Sequence, residues 1–105
     1  MTDPLATLNA AIFAEHLHTR FKADLGAAGA LELELAEVVE HNPSPRVECF
    51  SLFFRGPGSP QMQQGMKKLV HAVLGEMEVF LTPVARDENG FTYETVFNRF
   101  RKPQT

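Results

Sequence analysis

Apolar and polar residues alternate most regularly over residues 30–40, where Leu31, Leu33 and Leu35 interleave with Glu32, Glu34 and Ala36. On a helix those leucines would scatter round the axis; on a strand they share one face. After Ala36 the apolar phase moves to Val38 and Val39, which predicts a β-bulge or a strand end. Residues 20–25 alternate in the same way through Phe21, Ala23 and Leu25, and a small-residue turn, Gly26-Ala-Ala-Gly29, separates the two runs. Residues 76–84 alternate Met77, Val79 and Leu81, with Pro83 marking a strand end or edge. The turn sequence Asp87-Glu-Asn-Gly90 follows, its Asn-Gly pair predicting a tight hairpin, and residues 91–100 return with Phe91, Tyr93 and Phe97 on one side.

Three stretches depart from simple alternation. Residues 46–55 are apolar on both faces, with Val47, Cys49 and Phe53 on one and Phe50, Leu52 and Phe54 on the other. Such a strand belongs at the centre of a sheet, or under the N-terminal helix or another chain. It lies between two loops, His41-Asn-Pro-Ser-Pro45 and Gly56-Pro-Gly-Ser-Pro60. Residues 62–74 repeat Met62, Met66, Leu69, Val70, Val73 and Leu74 at helical spacing, against which stand Gly65, Gly75 and two β-branched valines. Residues 5–17 place Leu5, Leu8, Ile12 and Leu17 at helical spacing among alanines. Asp3 and Pro4 are in position to start a helix there. The expected fold is α+β but mostly β: an N-terminal helix over 5–17, then five or six antiparallel strands over 19–100 in a curved sheet or small barrel. Residues 101–105 form a frayed tail.

Composition narrows the function. The chain has 105 residues, 44% of them hydrophobic, which suits a single domain with one core. Nine Phe and no Trp make phenylalanine the main filler of that core. A single cysteine, Cys49, excludes an internal disulfide; its apolar neighbours predict a core thiol, and a reducing cytoplasm fits. The N-terminus has no secretion-signal pattern, and the apolar runs are far shorter than the roughly 20 residues of a membrane span. Net charge is −3, with Glu32, Glu34, Glu37, Glu40 and Glu48 concentrated in one stretch. Against this background Lys67-Lys68 and Arg99, Arg101 and Lys102 do not make a coherent phosphate-binding face, so neither nucleic acid nor membrane is expected as a partner.

Three segments in order, Phe50-Ser-Leu-Phe-Phe-Arg-Gly-Pro57, His71 with Leu74-Gly75, and Phe80-Leu-Thr-Pro83 followed by Tyr93-Glu-Thr-Val-Phe-Asn-Arg99, carry a family likeness. The chain resembles a bacterial family of small domains of unknown function that share FSLxFRGP, QG…H…LG, FLxP and YExVFNR motifs, over residues 18–100. That family often has an aromatic residue where this chain has Lys67. The resemblance implies an extended conformation near 66–72, against the helical period. It attaches no activity, and the setting it suggests is a phage-tail-like assembly.

The chemistry-bearing residues read mainly as structure. His16-x-His18 falls in helical sequence, where the two rings diverge, and no cysteine or carboxylate pair sits at ligand spacing, so no metal and no cofactor is expected. Cys49 with His71 as a nucleophile–base pair would need an open, electropositive setting that an apolar strand does not supply. The Gly56–Pro60 turn loses the backbone donors of a phosphate loop to its prolines. Glu48 and Glu94 are expected in cross-strand ion pairs with Arg55 or Arg99. His71 reads as a general base or partner contact, or as a satisfied histidine bonded across the sheet. Phe50, Phe53, Phe54, His71 and Tyr93 are therefore the candidate ligand or partner residues. The expected function is a non-catalytic protein-interaction or structural module, acting with a protein partner or a second copy. The alternative is a ligand-binding or enzymatic barrel with a pocket near His71 and Tyr93.

Overall fold

The computed structural model describes residues 9–44, 47–58 and 62–100. A short helix, α1 (Ala10–Ala14), precedes six strands: β1 (Arg20–Asp24), β2 (Ala30–Ser44), β3 (Val47–Gly56), β4 (Gly65–His71), β5 (Gly75–Asp87) and β6 (Gly90–Phe100). All pair antiparallel and close into a barrel in the order β1-β2-β3-β6-β5-β4. Two three-stranded meanders, β1-β2-β3 and β4-β5-β6, are thus joined edge to edge. The mostly-β, antiparallel expectation holds.

The alternation seen in sequence becomes an inside and an outside. Phe21 and Ala23, Leu31, Leu33 and Leu35, Phe50, Leu52 and Phe54, Leu69, Met77, Val79 and Leu81, and Phe91 and Tyr93 are all buried in one core. The β2 phase change is a register shift between Leu35 and Glu37, which returns Val38 to the core side. A second shift lies in β5 between Pro83 and Ala85, where proline cannot donate to the ladder.

In the ring order β3 and β4 stand opposite each other, so the chain between them must pass from one side of the barrel to the other. The described part of that passage buries Met62 in the core. Elsewhere α1 sets Phe13 into the barrel, its ring 6.1 Å from Phe50 and 5.8 Å from Phe97. A five-residue helix is too short to persist alone, so Phe13 packing is what holds it in place.

Several expectations are corrected. Between the two readings of 62–74 the extended one implied near 66–72 holds and the helical period does not: Met62 and Leu69 are buried while Met66, Val70 and Val73 are exposed. Gly65 and Gly75, both at positive φ, bound the strand β4 instead. The N-terminal helix is capped by Asn9, whose Oδ1 accepts from Ile12 N at 2.9 Å, and the chain has left the helix before Leu17. Leu5, Leu8 and the Asp3-Pro4 start lie outside the described residues, as does the tail from Arg101. Cys49 is half-buried on the outward side of β3 and not a core thiol, because Phe50, Leu52 and Phe54 take the inward phase. Arg55 bonds both Asp87 oxygens (2.8 and 3.0 Å) and Thr92 and does not pair with Glu94, while Glu48 stands opposite Arg99 in register.

Candidate functional site

His71 ends β4 on the inward side, where β4 meets β1. Its Nδ1 accepts from the amides of Val73 and Leu74, both at 3.0 Å, which folds the turn into β5 back on the ring. With Nδ1 accepting twice, the proton must sit on Nε2. Nε2 donates to Thr19 Oγ1 at 2.9 Å, and that hydroxyl donates in turn to the His16 carbonyl at 2.6 Å. The ring also lies 4.4 Å from the Phe21 ring and 4.9 Å from that of His16. Burial first, and then the neighbouring His16, hold the His71 pKa below its ordinary value. The group is a neutral bracket between β1, β4 and β5.

The His16-x-His18 pair does not converge. His16 turns toward His71, while His18 takes a left-handed backbone conformation (φ 67) and places Nδ1 3.0 Å from Glu34 Oε2. Among the described residues there is no cluster of three or more His, Cys, Asp or Glu that could hold a metal.

Tyr93 lies in the core on β6 and its Oη accepts from the Met62 amide at 2.9 Å, tying the β3–β4 passage to the barrel. Its ring covers Gly56: a Cβ there would come within 3.2 Å of Tyr93 Cε2 and 2.8 Å of Leu33 Cδ2. The Phe-Arg-Gly turn and the Tyr of the last strand are therefore one packing unit. The Phe21 ring, beside His71, lies 5.1 Å from that of Phe54, which stands opposite Tyr93 in register. The His71 ring nitrogens and the Tyr93 hydroxyl are engaged by the protein's own groups.

Phe50 and Phe54 are fully buried, which leaves neither available to a partner, while Phe53 points outward and is half-buried. The exposed apolar side chains lie elsewhere: Val70, Val73 and Val84, and with them Met66 (60% exposed), Phe80 (49%) and Val96 (55%). Met66 and Phe80 face each other across β4 and β5. Phe80 and Val96 are each the next outward residue beyond the cross-strand pair Thr82↔Glu94. Val96 in turn stands opposite Ser51, and Ser51 opposite Val39. An outward row thus runs across β4, β5 and β6 and on to β3 and β2. The signal in sequence was phase: Phe80 breaks the Met77/Val79/Leu81 alternation, and Val96 that of Phe91/Tyr93/Phe97.

These features define a class: a small closed antiparallel barrel filled by its own side chains, with a short helix packed into it. The chain belongs to the DUF6916 family, a domain of unknown function, whose match spans residues 8–97. No curated protein and no solved structure matches it.

Proposed function

We propose that this chain is a non-catalytic protein-interaction module, a structural or accessory part of a larger bacterial, cytoplasmic assembly of which a phage-tail-like particle is one setting. One observation carries the reading. The polar atoms of the buried candidates, His71 and Tyr93, are engaged within the chain, while Met66, Phe80 and Val96 stay exposed in a row on the outer face. Apolar side chains grouped on a surface mark contact sites more often than isolated ones do. The catalytic alternative lacks a comparable observation, because His71 holds its Nδ1 lone pair against two backbone donors.

A photoreactive benzoylphenylalanine at position 80 tests the reading in the cells that produce the protein. A discrete cross-linked adduct, with a partner or a second copy, is expected at position 80. The same residue at position 32, on the charged β1–β2 face, should give none. No adduct from position 80 would overturn the reading.

A further inference from the structure

We infer that the row Met66–Phe80–Val96 receives a basic amphipathic protein segment, one presenting apolar side chains flanked by Lys or Arg. This rests on the interaction reading above and adds the chemistry of the partner. Directly paired side chains on one face stand about 5 Å apart, and same-face neighbours along a strand about 7 Å. By that spacing Glu78 lies next to Phe80 along β5, and Glu94 next to Val96 along β6. Glu37 stands opposite Phe53, which itself stands opposite Glu94.

These three carboxylates, like Asp24 and Glu40, differ from those on the barrel that hold a cation. Glu32 and Glu34 lie near Arg20, Asp87 is held by Arg55, and Glu76 sits 3.4 Å from Lys68 Nζ. Lys68 is opposite Glu78 in register, yet its ammonium is on Glu76. Among the described residues no cation pairs with Glu37, Glu78 or Glu94. The apolar row is therefore edged by carboxylates that have no cation of their own.

That edge selects the occupant. Lys68, the cation beside Met66 on this face, already sits 3.4 Å from Glu76, so a second copy docked face to face would bring Glu78 and Glu94 no spare cation. Nucleic acid and an anionic bilayer are repelled by the same carboxylates. A segment with Lys or Arg beside its apolar side chains would bury Phe80 and neutralise the edge together. Charges at this range are screened over about 8 Å in physiological salt, so the binding should weaken as salt rises.

The test uses the full chain and two synthetic 18-residue amphipathic peptides of identical apolar spacing, one Leu/Lys and one Leu/Glu, followed by NMR. The Leu/Lys peptide is expected to shift the Met66 and Val96 methyls and the amides of residues 78–82 and 94–97, and the Leu/Glu peptide to leave them in place. Phe80→Ser should weaken binding at least about tenfold, the order expected for losing one buried Phe. Glu78→Gln with Glu94→Gln should weaken it at least about threefold and flatten its salt dependence, while Glu32→Gln changes neither. Equal binding of the two peptides, shifts centred away from the row, or indifference to the Glu78/Glu94 pair would overturn the inference. So would a light-scattering mass of two copies that Phe80→Ser returns to one. An adduct at position 80 that persists with Glu78 and Glu94 neutralised would leave the interaction reading standing and reject the basic partner. Leu/Lys binding without any cellular adduct would overturn the interaction reading and the inference that rests on it.

Discussion

His71 keeps its hydrogen bonds only as the neutral Nε2–H tautomer, because protonating Nδ1 would set a proton against the Val73 and Leu74 amides. Its folded-state pKa lies below the ordinary value near 6.5. The unfolded chain therefore binds the proton first as pH falls, so stability is full above pH 6.5 and declines below it. The decline levels off once the folded-state pKa is passed. Denaturant midpoints from pH 8 to pH 5 should fall for the natural chain, and His71→Gln should remove part of that slope while lowering stability at pH 8. A slope unchanged in the variant would reject the bracket role. The sequence placed His71 across a sheet as one of two readings, but Thr19 lies 52 residues away and only the closed ring brings the two together.

The β5–β6 hairpin shows how backbone constraints set an element. The Asp87–Gly90 turn was legible, but its form was not. Glu88 and Asn89 form the loop, with Asp87 opposite Gly90 and Asp87 Oδ1 accepting from Asn89 N at 2.8 Å. Among the described non-glycine residues positive φ occurs at His18 and not at Asn89, so this is not the primed turn that an Asn-Gly pair usually marks. Gly90 carries the positive φ (139), and a Cβ there would run into the Gly56 carbonyl. Gly90→Ala should lower stability by at least about 2 kcal/mol, from strain and backbone collision combined, readable by urea denaturation. A loss under 0.5 kcal/mol, the ordinary size of a harmless surface change, would show that the hairpin and the β3 end move apart freely. The phase change after Ala36 was legible because a bulge leaves its mark in the local pattern.

Closure of the barrel rests on unequal seams. Between β3 and β6 the register runs unbroken from Val47↔Phe100 to Gly56↔Phe91, whereas among the described residues β1 and β4 register at Lys22↔Val70 and Ala23↔Leu69. Hydrogen exchange should find the amides of residues 50–54 and 93–97 the most protected. Those crossing from β1 to β4 should open at least tenfold faster, as sub-global opening starts where pairing is shortest. Equal protection at the two seams would mean that the ring opens only on global unfolding. The strands over 20–25, 30–40, 76–84 and 91–100 and the inward phase of each followed from the sequence alone, since each depends on neighbours within a few residues; the shift after Ala36 marked a bulge or a strand end, and β2 runs on through part of the expected loop to Ser44. Periodicity left 62–74 open: its apolar spacing satisfies a helix, the family resemblance implies extension near 66–72, and 65–71 is a strand paired with β5 and β1. Likewise Phe50 and Phe54 could be known as apolar but not as interior, and Phe80 and Val96 could be known as out of phase but not as neighbours. Alternation along a chain records which side of a strand a residue takes. Which strands lie side by side, and so which side chains share a surface, is decided by pairings between residues far apart in sequence.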